Sequence, residues 1–349
     1  MVLSEKNSEL LRKKILAYCE KNRIFGYLRV TVKDETAFEL SLGADPITGE
    51  PYTADRMFSL YSLSKPFCAI GFMKLRDRGL VHPDDHPGKY IPEARGFDSR
   101  VTFRHLLHHI SGLPDSEQIT DFCQKYAPGL PEKTREHIAL LTAYPQYFAP
   151  GEGAFYANVN FNLPALAIEN ITGLPYGQYM AEEVFRPLGM SSAVVDRPGL
   201  FIPDRVQGYE TDENGLPQPV EKSYDWMFGA GDIVATAKDV YCLNLAIKHR
   251  LLLSPESWET VLTPAKQNGM GMGCTVSQWH GKLRITHNGG HTGFRTLHIQ
   301  LPETDHDIIL LSNSGYGEAR GDISEMIHDA FFGEDAAEDA APEMDKGYI

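Results

Sequence analysis

Ser62-Leu63-Ser64-Lys65 sets a hydroxyl and an amine three residues apart, at the head of the apolar run 67–76. Positions i and i+3 share a helix face, so the two side chains can touch. A serine hydroxyl is a poor nucleophile until a base takes its proton. A lysine can be that base once burial lowers its pKa toward neutrality. The free N–H groups and positive dipole end of a helix N-terminus suit a developing oxyanion. Pro66 is tolerated because it falls in the first turn. Taken alone, S-x-x-K is a weak motif, and an exposed Ser and Lys at a helix start is the plainer reading.

Two further groups sit downstream. Tyr156-Ala157-Asn158 follows Pro150-Gly151-Glu152-Gly153 on a loop entering a helix. A tyrosine hydroxyl can relay a proton to a leaving group, and an asparagine can orient the lysine or a substrate amide. In isolation the same residues read equally well as a packed Tyr and a helix-capping Asn. The third group is 286–294, Thr-His-Asn-Gly-Gly-His-Thr-Gly-Phe, at the end of an expected strand. A glycine-rich strand lets a substrate backbone approach its edge. His287 there can hold or shuttle a proton, although a simple strand–turn–strand fits too.

The elements that must position these groups follow from periodicity. Residues 4–21 carry Leu10, Leu11, Ile15, Leu16 and Tyr18 at helical spacing. Segments 27–32 and 37–42 alternate apolar and polar residues and predict a hairpin with 33–36 as its connection. The run 67–76 is apolar on nearly every face, as in a helix buried inside the fold. Thr102 is placed to cap a short helix, and 159–171 and 176–185 read as further helices. Gly229-Ala230-Gly231-Asp232 leads into a helix beginning at Ile233. Strands are expected at 271–279, 282–288, 295–301 and 307–312, with a closing helix near 318–332. The pattern divides the chain into a sheet lobe (1–60 with 200–333), a mostly helical lobe (61–199) and an acidic tail (334–349), with a ligand cleft between the lobes.

Together the three groups resemble the serine β-lactamase and penicillin-binding-protein superfamily, most closely its class C β-lactamase branch with related esterases and D-peptidases. That superfamily carries SxxK, then YxN, then KTG or HxG on a sheet strand, in this order. Supporting blocks are 101–114 (VTFRHLLHHISGLP), 185–190 (FRPLGM) and 231–239 (GDIVATAKD). The resemblance implies an α/β (α+β) β-lactamase/transpeptidase-like fold, an antiparallel sheet flanked by the terminal helices plus a helical lobe. It implies Ser62 as acylated nucleophile, Lys65 as its base partner and Tyr156 as general acid/base. Asn158 would orient Lys65 and the substrate amide. His287 and Gly289 would form the third motif, and the N–H groups of Ser62 and Gly290 the oxyanion hole. His291-Thr292-Gly293 and His86-Pro87-Gly88 also spell HxG; the spacing to Phe294 and to Pro302-Glu303 favours His287. No K-[ST]-G occurs. In this superfamily that lysine helps bind the carboxylate of β-lactams and peptide C-termini. A histidine is a weaker cation with a pKa near 6.5. The departure weakens a dedicated β-lactamase reading and favours an esterase, amidase or aminopeptidase, with a β-lactamase or D-alanyl-D-alanine carboxypeptidase/D-aminopeptidase as the alternative to an esterase or amidase. An acyltransferase or a non-catalytic assembly protein is the remaining alternative. If activity needs charged His287, it falls as pH rises through roughly 6–7.

Composition narrows the field. The 349 residues carry 33 Lys and Arg against 47 Asp and Glu, a net charge of −14, which argues against nucleic acid and anionic membrane as partners. No apolar run is long enough to span a membrane. The charged N-terminus lacks a signal-peptide core, so a cytoplasmic location and a small-molecule substrate are expected. The five scattered cysteines show no CxxC spacing. His105, His108 and His109 have helical spacing but no HExxH, and Gly229–Gly231 is too short for a nucleotide loop, so neither metal nor cofactor is expected. Trp226 is placed near the cleft.

Overall fold

Ser4 accepts the Asn7 N–H and starts α1 (Glu5–Asn22), which buries Leu11, Ile15 and Cys19 along one stripe. This computed structural model describes residues 3–115, 131–221, 227–279, 281–314 and 319–333. Strands β1 (Gly26–Val32) and β2 (Glu35–Leu42) form the expected hairpin. Its turn is tighter than the sequence predicts. Only Lys33 and Asp34 lie between the strands, both with left-handed backbone (φ 52° and 63°). That two-residue geometry matches the strand twist and lets Glu35 and Thr36 join the ladder.

The chain continues through β3 (Phe58–Ser59), a 3-10 turn (Tyr61–Ser64), α2 (Lys65–Asp77), α3 (Phe103–Leu107), α4 (Pro131–Leu141), α5 (Val159–Thr172) and α6 (Tyr176–Met180). Ten of the 13 residues of α2 are buried, Lys65 among them, so this helix runs through the interior as its all-round apolar sequence requires. Next come β4 (Val194–Val195), the hairpin β5 (Gly208–Thr211) and β6 (Pro217–Val220), and β7 (Ile233–Ala235). Strand β7 corrects the helix expected from Ile233. Its β-branched Ile-Val pair is drawn between β3 and β4 in a small sheet. The helix α7 (Ala237–Lys248) begins only after Thr236, which forms a capping box with Asp239.

A helix that periodicity did not reveal, α8 (Pro255–Leu262), starts at Ser254 with Pro255 in its first turn. Strands β8 (Thr275–Trp279), β9 (Lys282–His291), β10 (Phe294–Leu301) and β11 (His306–Ser312) precede α9 (Ala319–Phe332). Residues 271–274, expected as strand, instead pass against α2. A Cβ on Gly273 would meet the Lys65 carbonyl at 2.8 Å.

The main sheet is antiparallel, in the order β2-β1-β11-β10-β9-β8. Helices α1 and α9 cover one face, where Ile15, Leu28, Leu310 and Ile323 share an apolar cluster. Helix α7 covers the other face, and the larger core extends from there under α2 and α5. Pairing of β1 with β11 joins the two ends of the chain. The result seats the end of β9 directly against the 3-10 turn that precedes α2.

Candidate active site

Ser62 lies in the 3-10 turn and Lys65 opens α2. Lys65 Nζ is 3.0 Å from Ser62 Oγ, 2.9 Å from Asn158 Oδ1 and 2.9 Å from the Ala230 carbonyl. The lysine has no solvent exposure. Three oxygen partners surround Nζ, so hydrogen bonds replace the lost water for the amine and the ammonium alike. The rings of Tyr156 and Phe161 face the same nitrogen at 4.8 and 5.7 Å.

Each partner is held locally. Asn158 stands at the N-terminus of α5, but its side chain makes no capping bond. It faces Lys65, while its backbone N–H donates to the buried Asp115 carboxylate. Ala230 sits in a turn closed by Asp232, whose Oδ2 accepts the Gly229 N–H at 2.8 Å. Glycine is required there: with φ 70°, a Cβ on Gly229 would meet the Ala165 side chain at 2.4 Å. Tyr61, just before Ser62, has φ 47°. A non-glycine residue there costs about 1–2 kcal/mol. Packing holds it, with its ring stacked on His291 at 5.2 Å and tilted against Phe294 at 5.8 Å.

Strand register separates the candidate HxG groups. On β9, His287 and Gly289 turn to one face, Asn288 and Gly290 to the other. A Cβ on Gly289 would lie 2.0 Å from the Leu60 carbonyl oxygen and 3.1 Å from Leu63 N. Thr296, opposite Gly289, donates its hydroxyl to the same Leu60 carbonyl at 2.9 Å. The Gly289–Gly290 peptide therefore runs against the turn that carries Ser62. Gly293 does not reach this contact; it lies in the β9–β10 turn against Val220 and Gly208. His291 serves as the packing partner of Tyr61.

His287 differs from the charged anchor expected of it. It is buried, and its Nδ1–H donates to the Asn288 carbonyl at 2.5 Å. Nε2 is then a bare lone pair, with no hydrogen-bond partner among the described residues. Burial, then the Lys65 charge, push its pKa down to about 3. The imidazole is neutral across pH 6–7, which corrects the expected loss of activity through that range.

The three neighbouring histidines diverge. His105 completes the capping box with Thr102. His108 contacts the carbonyls of Arg104 and Thr263. His109 lies under Tyr156, ring centroids 4.2 Å apart. Trp226 and the acidic tail lie outside the described residues. Sequence reasoning missed Ala230, Asp115, Tyr61 and His109 as neighbours of the site. The Gly-Ala-Gly-Asp turn and the Asp that follows the 101–114 block were the available signals.

The Beta-lactamase family model matches residues 11–330, and the chain belongs to that family. It is 28% identical over 317 residues to penicillin-binding protein 4* of Bacillus subtilis, covering 84% of this chain and 69% of that one. It is 28% identical over 283 residues to a D-aminopeptidase of Brucella anthropi, covering 77% of this chain and 52% of that protein. The octameric penicillin-binding protein homologue from Pyrococcus abyssi shares the fold, with a TM-score of 0.80, 22% identity, and coverage of 92% of this chain and 76% of that one. The protein is thus a serine β-lactamase/penicillin-binding-protein family hydrolase with the β-lactamase/transpeptidase-like fold anticipated from its motifs. Among the described residues, no helix is long and apolar enough to cross a membrane.

Proposed function

We propose that the protein hydrolyses a small ester or amide through an acyl-enzyme on Ser62. The observation that carries this choice of substrate is the neutral His287 near Lys65, where a carboxylate-binding member of the family holds a lysine. A neutral imidazole with a bare Nε2 offers no charge to a carboxylate. It accepts a hydrogen bond from a hydroxyl or an N–H.

In the proposed step, Ser62 Oγ attacks the carbonyl carbon while Lys65 and Tyr156 take up its proton. The oxyanion rests on the N–H groups of Ser62 and Gly290. Tyr156 returns a proton to the leaving alcohol or amine as its bond to carbon breaks. Asn158 keeps Lys65 aligned. Water then attacks the acyl-enzyme, releasing the acid and restoring Ser62. The step needs no metal or organic cofactor.

Intact-mass spectrometry of wild type and Ser62→Ala after brief exposure to a p-nitrophenyl ester, and separately to a penicillin, tests this reading. Turnover or an adduct with the ester, absent in Ser62→Ala, and no lasting penicillin adduct is the expected result. Ser62→Ala should lower ester turnover by about 10³-fold or more while the fold persists. A long-lived penicillin adduct on Ser62 would favour a D-peptidase or β-lactamase, the reading to which the relatives' names lend support. Preferential transfer to an added alcohol would indicate an acyltransferase, and no Ser62-dependent adduct would count against catalysis on Ser62.

A further inference from the structure

His109 grips three consecutive residues centred on Tyr156. Its carbonyl accepts the Phe155 N–H at 2.9 Å. Its ring stacks on the Tyr156 ring, centroids 4.2 Å apart and planes 20° apart. Its Nδ1 accepts the Ala157 N–H at 3.2 Å. Asn160 adds a second donor to Nδ1, with Nδ2 at 3.1 Å, and Ser111 Oγ fixes that amide by donating to Asn160 Oδ1 at 2.7 Å. Two N–H groups aimed at Nδ1 leave no room for a proton there, so the neutral ring carries its proton on Nε2. Protonating Nδ1 would break both bonds. Burial, then the nearby Lys65 charge, hold the ring well below its ordinary pKa, in keeping with that neutral form.

The residue adopts a left-handed backbone to do this, with φ 56°. Its ring is buried, and a core packing role alone calls for neither that backbone nor an imidazole acceptor. We propose that His109 is a positioning residue that holds Tyr156 in the orientation from which it protonates the leaving group. The inference rests on the role given to Tyr156 above. Displacement of a reacting group by about 1 Å can cost on the order of 10²-fold in rate.

The test is a series of phenyl butyrates with ring substituents from p-nitro to p-methoxy, measured as kcat/KM for wild type, His109→Phe and His109→Asn. The first variant keeps a ring and loses the acceptor. The second tolerates the left-handed backbone and loses the ring. A p-nitrophenolate leaves without help, whereas p-methoxyphenolate needs a proton from Tyr156. The loss on the p-methoxyphenyl ester should therefore exceed that on the p-nitrophenyl ester by at least about tenfold. Should His109→Phe fail to give folded protein by near-UV circular dichroism, His109→Asn decides. A loss of equal size across the series, or none, overturns the positioning role. Wild type that turns over no ester in the series, with no Ser62 adduct, refutes instead the function on which the inference rests.

Discussion

Two polar pockets each bury an ionisable side chain, and they treat it in different ways. Around Lys65, three oxygen atoms converge on Nζ at 2.9–3.0 Å, so the amino group is fully hydrogen-bonded without water. Asp307 sits on β11, on the sheet face that meets α7, with Oδ1 lacking a hydrogen-bond partner among the described residues. The nearby cations are committed elsewhere. Lys248 reaches Asp34 and Asp305 at 2.8 Å each, and Arg29 lies over the Tyr241 ring. Burial first, then repulsion from Asp34 and Asp305, push the Asp307 pKa up to about 8, against the pull of Lys248 and Arg29. Burial by itself therefore makes no reactive group. Converging partners hold the Lys65 amine in place, whereas too few donors and cations at Asp307 leave it a neutral packing residue.

That contrast can be broken first at Lys65. Lys65→Met keeps the apolar stem and removes all three hydrogen bonds, and kcat for the p-nitrophenyl ester should fall by about 10²–10³-fold. Activity within a few-fold of wild type would remove Lys65 from the mechanism. Gly289→Ala attacks the same pocket from the sheet side. Its methyl would meet the Leu60 carbonyl at 2.0 Å, so β9 must move away from the Ser62 turn. A loss of about 10–10²-fold in kcat, with a smaller change in KM, is expected for a displaced oxyanion donor.

At the neutral end, the Asp307 pKa in the folded protein lies above its unfolded value. The stability contributed by the neutral acid is thus full below pH 3.8 and is lost as pH climbs toward about 8. Asp307→Asn removes that slope. Urea midpoints measured from pH 5 to 9 should show the variant gaining on wild type by about 1–3 kcal/mol across the range. Parallel curves would mean that Asp307 titrates normally. The smallest effect sharpens the comparison within the site. With His287 held neutral, kcat/KM between pH 5 and 7 should show no inflection that His287→Gln abolishes. An inflection lost in that variant would restore the charged-anchor role.

Much of this arrangement was legible from local pattern. The i, i+3 spacing of Ser62 and Lys65 survives as a 3.0 Å contact because helical geometry alone sets it. The hairpin at β1–β2 and the buried α2 follow from periods of two and 3.6 residues. Where the reading failed, a partner distant in the chain decided. Ile233–Ala235 became strand because Phe58 and Val194 flank it. His287 is neutral because the fold closes over it and sets Lys65 nearby. His109, read with its neighbours as part of a family block, reaches Tyr156 only once the 105–112 turn packs against the start of α5.

The sequence by itself determined which residue types could do chemistry, their order along the chain and the helices and strands that carry them. Those depend on covalent spacing and on hydrophobic period, both local. Tertiary structure alone decided which HxG meets the turn that carries Ser62, because strand register selects the glycine that touches Leu60. It also decided the charge state of each buried group, since that depends on how many acceptors, donors and charges from remote segments the fold brings within reach.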